Sequence, residues 1–371
     1  MNARRYWLGF NRVKGIGPVR LRALRAAFGN LETAWSAPAA DLLAAGLDRR
    51  TTENLVQARQ ALDLDHLLAE VDAAGASVLT LDDPDYPALL RELPDSPPVL
   101  YVKGTLLDDD RWAVAFVGTR RASAYGRDMT HSLVTSLVSA GITIVSGLAL
   151  GIDAAAHKAA LEAGGRTIAV LGCGIDQVYP PDHHHLAAAI AGSGALVTEF
   201  PPGTQPEGKN FPVRNRLISG LSLGVVVVEA PADSGALITA DCAAEQGRDV
   251  FAVPGNVTTR TTAGANRLIQ NGAKLVVDGN DILDELNLTR TTVETRAQVR
   301  AIAPDTPVEA ALADLLGDEP LHIDDLVRRS GLTITEVSST LALMELKGVA
   351  RRLEGMIYAL AQSGAGQLRL D

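Results

Sequence analysis

From residue 113 to residue 278 the chain repeats one pattern of short apolar runs alternating with helical stretches. The apolar runs fall at 113–117, 142–145, 167–171, 195–198, 224–229, 249–253 and 274–277. Helical stretches such as 125–140, 151–163, 234–246 and 264–271 lie between them. A run like Gly224-Val225-Val226-Val227-Val228 leaves no polar face, so both of its faces must be covered. Repeated strand–helix–strand units of this length predict an α/β fold with a mostly parallel, doubly wound sheet. Sheets of this kind bind ligands beyond the carboxyl ends of their strands. That directs attention to the loops Gly118-Thr119-Arg120, Gly147-Leu148-Ala149, Gly172-Cys173-Gly174 and Pro254-Gly255-Asn256.

The flanks read differently. At 371 residues, a prior of about 150 residues per domain suggests two or three domains. Residues 1–72 show short helical periods, with Leu21, Leu24 and Phe28 on one and Leu64, Leu67, Leu68 and Val71 on another. A strand-like stretch at 76–81 and a Pro-rich connector at 84–98 lead into the alternating region. Residues 288–306 are polar and Thr-rich, as a linker would be. Residues 307–361 resemble a small winged helix, with helical segments at 307–317, 323–330 and 333–347 and a two-stranded wing around Glu354-Gly355. The expected division is therefore 1–72 helical, 73–287 α/β, 288–306 linker and 307–371 winged helix.

Charge is unevenly spread. The net charge is −10, yet residues 1–31 hold seven Lys/Arg and no Asp or Glu. Residues 307–361 hold five Lys/Arg against nine Asp/Glu. The start of the third winged-helix segment, Thr333 to Thr340, carries no Lys or Arg. Duplex DNA affinity is dominated by phosphate neutralisation, so this module reads as a protein-contact or regulatory element. Cys173 and Cys242 are far apart in apolar segments and read as free thiols. No apolar run approaches the roughly 20 residues of a membrane span, and no signal-peptide pattern opens the chain. The expected location is cytoplasmic, with no membrane partner and no cofactor or metal.

Residues 209–220 carry the densest chemistry. Lys209, Arg214 and Arg216 place three cations near Phe211, with Asn210 and Asn215 among them. Cations neutralise phosphates and a ring offers a stacking face, which is what a single-stranded nucleic acid needs. Ser234-Gly235, with Thr239, follows the strand ending near Glu229; it fits an anion-binding helix start and equally fits close helix–sheet packing. Gly15-Ile16-Gly17-Pro18 matches a helix–hairpin–helix turn and equally a plain tight turn.

Enzyme motifs fail on inspection. There is no P-loop. Gly172-Cys173-Gly174 begins a dinucleotide fingerprint, but Gln177 stands at its last glycine position. Gly220-Leu221-Ser222-Leu223-Gly224 matches a nucleophile elbow in letters, yet a helix precedes it and a strand follows. Asp153 and His157 read as a helix-start acid and a core histidine. His183-His184-His185 lacks metal-ligand spacing and reads as the entry to a helix.

Together these segments resemble the DNA-processing protein A family (DprA, also called Smf). The landmarks run in one order: Val117-Gly118-Thr119-Arg120, Ser146-Gly147-Leu148-Ala149-Leu150-Gly151-Ile152-Asp153, Ile168 to Gly172, and Tyr179-Pro180. Asn210-Phe211-Pro212, Arg214-Asn215-Arg216, Val228-Glu229-Ala230, Ser234-Gly235 and Val253-Pro254-Gly255 follow. The resemblance implies an extended Rossmann-like domain between a small helical domain of SAM or helix–hairpin–helix type and a winged helix of DML1 type. It implies a non-enzymatic mediator that protects incoming single-stranded DNA in natural transformation, loads the RecA recombinase onto it and dimerises through the Rossmann domain. Carried over by motif, Arg120, Lys209, Arg214 and Arg216 become the DNA contacts and Phe211 a stacking or positioning residue; Gly118, Thr119, Ser146, Gly147, Asn210, Asn215, Ser234 and Gly235 complete the candidate DNA-binding set. The rival reading is a nucleotide phosphoribohydrolase-like enzyme, with Glu199 or Glu229 as the strand-end carboxylate.

Overall fold

The computed structural model describes residues 3–288, 306–316, 321–346, 350–352 and 356–360. They belong to two compact units, one ending at Leu288 and the other beginning at Thr289.

The first unit opens with helices α1 (Arg4–Asn11), α2 (Pro18–Phe28), α3 (Leu31–Ser36), α4 (Ala39–Ala44), α5 (Arg49–Ala61) and α6 (Leu64–Ala73). Next come β1 (Ser77–Thr80), α7 (Ala88–Arg91) and β2 (Val99–Gly104). The alternating region begins with β3 (Ala113–Val117), α8 (Ala124–Ser139), β4 (Thr143–Ser146), α9 (Ile152–Glu162), β5 (Thr167–Val170), α10 (His184–Ser193) and β6 (Ala195–Thr198). It continues with α11 (Asn210–Gly220), β7 (Gly224–Val227), α12 (Gly235–Glu245), β8 (Asp249–Ala252), α13 (Ala263–Gln270), β9 (Lys274–Leu275) and α14 (Gly279–Glu285).

All the strands join one sheet in the order β1-β2-β6-β5-β4-β3-β7-β8-β9. From β6 to β9 every pairing is parallel. The β1–β2 and β2–β6 pairings are antiparallel. The mostly parallel, doubly wound sheet expected from the alternation is present. Strand β2 was not expected, because it follows the Pro-rich connector directly. An antiparallel strand also needs no crossover helix, so it leaves no alternation signal.

Side chains leave the strands alternately to either side. Val114, Phe116, Val226 and Val228 pack with Leu133 and Leu137 of α8 and Ala156 of α9. Ala115, Val117, Val225 and Val227 pack instead with Leu217 and Ile218 of α11 and Ala240 of α12. The leading helices share a third cluster with the antiparallel end of the sheet, where Phe10, Leu24, Leu55 and Leu67 meet Val78, Tyr101 and Leu196. Their cations are largely neutralised inside the unit. Arg4, Arg5, Arg12, Arg20 and Arg25 pair with Asp83, Asp65, Glu70, Asp48 and Asp82. Arg20 also donates to the Gly15 carbonyl (2.7 Å) and to Thr51 Oγ1 (2.8 Å), so the Gly15–Gly17 turn is braced from within.

The strand order positions the site. The chain lays down β3 to β6 in one direction and then returns to place β7 on the other side of β3. The loops after β3 and β7 therefore leave in opposite directions, which opens a crevice at their carboxyl ends. Helix α11 lies on the returning segment.

The second unit holds α15 (Pro307–Leu316), β10 (Leu321–His322), α16 (Ile323–Ser330), α17 (Ile334–Leu346), β11 (Ala350–Arg352) and β12 (Ile357–Leu360). Its antiparallel sheet runs β10-β12-β11, and Leu312, Leu326, Val337, Leu341 and Met344 fill its core. This is the winged helix expected from the sequence. Thr333 and Glu336 form a reciprocal cap at the start of α17, and these bonds hold the Glu336 carboxyl below its usual range. The linker read at 288–306 lies outside the described residues except at its ends, as do Glu354-Gly355 and 361–371.

One buried group makes the first unit sensitive to pH. His157 of α9 is fully buried, and its Nδ1 meets Thr167 Oγ1 at 2.6 Å. That hydroxyl donates to the Ile144 carbonyl (2.8 Å), which leaves it to accept the Nδ1 proton. Burial, with His183 and Arg214 nearby, pushes the His157 pKa from 6.5 down to about 3. Between those values the unfolded chain binds a proton that the folded chain refuses, so stability falls as pH falls through that window. Urea unfolding at pH 7 and at pH 5 checks this. The loss between the two should shrink in His157→Gln, which cannot take up the proton.

Candidate functional site

Helix α11 converts the basic stretch into two different faces. At 3.6 residues per turn, Phe211, Arg214, Asn215 and Ile218 share one side. That side lines a cavity of about 610 Å³ at the crevice between β3 and β7. Val117 to Arg120, from the end of β3, form a second wall. Pro231 and Asp233 to Ala236, with Ile238 and Thr239, bring in the loop after β7 and the start of α12. Ser234 caps α12 by accepting from the Ala236 amide (3.2 Å). Asn215 Nδ2 donates to the Gly235 carbonyl (3.3 Å) and ties the two helices together at this edge. The cavity therefore faces the positive end of a helix.

Arg214 is buried in the wall, with only 4% of its surface exposed. Its Nη1 donates to the Val170 carbonyl at 2.5 Å, and its Nε is buried without a partner among the described residues. Burial pushes its pKa down to about 10, with Asp153 pulling the other way. It stays a cation at neutral pH, and among the described residues the Val170 carbonyl is its one hydrogen-bond partner. The guanidinium lies against the backbone of Gly147, where a Cβ would sit 2.1 Å from Nη1. Only glycine permits that approach.

Asp153 supports the same wall. It is buried, and its Oδ2 accepts from the amides of Gly147 (3.1 Å) and Ala149 (3.3 Å). Burial raises its pKa, opposed by Arg214 and by those amides. Leu148 between them adopts a left-handed φ of 58°, and its carbonyl accepts from His183 Nδ1 (2.9 Å). Asp153 and His183 thus hold the loop after β4 on which Arg214 rests.

Phe211 is the centre of an aromatic and cationic cluster. The Arg120 and Arg214 guanidinium carbons each lie 5.8 Å from its ring centroid. The Tyr179 ring lies 5.5 Å away at 41°. Beneath it, a Cβ on Gly172 would come within 2.8 Å of the ring, so the glycine seats the phenyl group. A smaller cavity of about 40 Å³ opens beside this cluster, lined by Arg120, Gly147, Tyr179 and Phe211 among others.

Of the residues expected at the site, Gly118, Thr119, Arg120, Phe211, Arg214, Asn215, Ser234 and Gly235 line the large cavity, and Gly147 lines the small one. Ser146, Lys209, Asn210 and Arg216 line neither. Ser146 is buried and donates to the Phe116 carbonyl (2.6 Å). Asn210 is buried and donates to the Gln205 carbonyl (3.3 Å). Lys209 is exposed and paired with Glu207 (2.5 Å). Arg216 pairs with Glu199 (2.5 Å) and Asp95 (3.4 Å). Tyr179 was missed as a contact, although the Tyr-Pro landmark marked its position. Neither Glu199 nor Glu229 lines the large cavity. Glu229 instead accepts from the Ser123 amide (2.9 Å) and hydroxyl (2.7 Å).

Comparison with known proteins agrees with this architecture. The family model described as DNA recombination-mediator protein A matches residues 77–287, and the DprA winged helix domain matches 296–356. Protein Smf of Synechocystis is 39% identical over 390 residues, covering 95% of this chain and 98% of that protein. The X-ray structure of DNA processing protein A from Streptococcus pneumoniae superposes with a TM-score of 0.67 at 36% identity, over 77% of this chain and 98% of that one. DNA processing protein A from Helicobacter pylori, studied structurally for its single-stranded DNA binding mode, matches with a TM-score of 0.51 at 29% identity. That match covers 57% of this chain and 97% of that one. The chain belongs to the DNA processing protein A (DprA/Smf) family of DNA recombination mediators.

Proposed function

We propose that the chain binds single-stranded DNA in the cavity between β3 and β7. It would protect incoming strands in natural transformation and hand them to the RecA recombinase, acting as a homodimer through the Rossmann domain. The observation that carries the reading is the Arg214 guanidinium, buried in the cavity wall with one hydrogen bond and an unpartnered Nε among the described residues. Phosphate accepts several N–H bonds from one guanidinium, and the α12 start adds a positive dipole. Phe211, between Arg120 and Arg214, offers a ring for a base. The H. pylori relative supports the ligand class. The acidic winged helix is read as a protein-contact or regulatory module.

The hydrolase reading loses support. Its two candidate carboxylates are engaged elsewhere, Glu199 with Arg216 and Glu229 with Ser123. Among the residues lining the large cavity the carboxylates are Asp153, bound to backbone amides, and Asp233, paired with Arg260 at 3.5 Å.

Binding of oligothymidines, followed by fluorescence anisotropy against salt, tests the cavity. Phe211→Ala should cost about 1–3 kcal/mol, the stacking contribution of one base. Arg120→Ala should weaken binding on all sequences alike and flatten the log–log salt slope by about 0.7. If both variants bind like wild type, the site is misplaced.

Arg216→Ala should act on the fold. It leaves the largely buried Glu199 unpaired, a loss on the order of 3 kcal/mol, so thermal unfolding should move far more than DNA affinity does.

Incubation with nucleoside monophosphates should release no free base; release would revive the hydrolase. Addition of the protein to single strands coated with a single-strand-binding protein should speed RecA filament growth.

A further inference from the structure

The turn after β3 runs directly into α8, and it gathers arginines that form no ion pair among the described residues; the Glu229 carboxylate at this turn is taken up by Ser123. Arg120 and Arg121 are exposed in the turn, and Arg127 is exposed on the second turn of the helix. Arg127 Nη1 donates to the Ala122 carbonyl at 2.7 Å, which folds its side chain back over the same turn. None of the three forms an ion pair among the described residues, in contrast to Arg4, Arg5, Arg12, Arg20 and Arg25 and to Arg166, Arg216 and Arg248. The acidic residue of α8, Asp128, is the next position along, about 100° around the helix, and takes no ion pair with Arg127. Tyr125 stands in the same stretch with 44% of its surface exposed. Its hydroxyl donates to the Pro254 carbonyl (2.8 Å), which fixes the ring in place.

Three cations without an ion pair in one short stretch cost Coulomb repulsion, which neither Asp128 nor Glu229 relieves by pairing with them. A fixed exposed ring among unpaired cations is the pattern that tracks a single-stranded backbone. The cluster is continuous with the cavity through Arg120, which lines the cavity and flanks Phe211.

We infer that the Arg121–Tyr125–Arg127 stretch is a second segment of the DNA track, where the strand leaving the cavity past Arg120 lays down two further phosphates. The inference rests on the cavity being the single-stranded DNA site. Its ligand is the continuing backbone of the same strand, and a lone phosphate would gain nothing from the connection.

The test is length dependence. Wild type and the double variant Arg121→Ala, Arg127→Ala are titrated with oligothymidines of about 4 and about 16 nucleotides, within the range of single-strand site sizes. Both should bind the short strand equally. On the long strand the double variant should lose about tenfold in affinity at 0.1 M salt, and its salt slope should fall by about 1.4, two phosphates at 0.7 each. The paired variant Arg121→Lys, Arg127→Lys should recover most of the slope, which separates charge from folding. Long-strand binding unchanged in the alanine variant overturns the track, and so does an equal loss on both lengths. A wild type that binds neither length overturns the cavity reading and the track with it.

Discussion

A guanidinium buried at the carboxyl end of a parallel sheet is the constraint around which this site is built. Burying a charge is costly unless neighbouring groups compensate for it. For Arg214 the compensation is partial: one backbone carbonyl from β5 and the field of Asp153. The remaining requirements follow from that choice. Gly147 must lack a side chain so that the cation can lie on the loop. Asp153 must be buried beside it, and its carboxylate is in turn held by two amides of the same loop. Phe211, one helical turn earlier, covers the cation and needs Gly172 beneath it. An incompletely satisfied cation in a cavity wall is a standing demand for an anion, and the single-stranded DNA proposed as ligand would supply one with a base attached.

Charge in this protein is informative only after pairing is known. The front helices carry the densest run of arginines, yet carboxylates of the same unit neutralise most of them. Arg120, Arg121 and Arg127, which form no ion pair among the described residues, lie instead at the end of β3 and the start of α8, inside a chain of net charge −10. Surface ion pairs contribute little stability in water. Their clearer effect here is on the potential: they reduce the positive field of the front helices and leave it at the crevice.

Much of the α/β region could be read from one dimension. Seven apolar runs, each followed by a change of period, became seven strands, because a buried parallel strand needs a continuous apolar sequence and its crossover needs an amphipathic one. The elements that escaped notice were those without that signal. Strand β2 sits behind prolines and pairs antiparallel. The roles of Tyr179 and Asp153 depend on which loops meet, and no local pattern encodes that.

The basic stretch at 209–216 shows where the boundary lies. By itself the sequence determined that cations, an aromatic ring and a Gly-Thr-Arg turn accompany a parallel sheet, and which family such a set belongs to. Only the tertiary structure decided which of them share a cavity. Helical rotation sends Arg214 and Arg216 to different sides, one to the cavity wall and the other to Glu199. The return of the chain from β6 to β7 brings α11 and the start of α12 against the turn after β3. Neighbours in sequence were separated and distant loops were joined, because a helix turns about 100° per residue and a doubly wound sheet reverses direction at a single point.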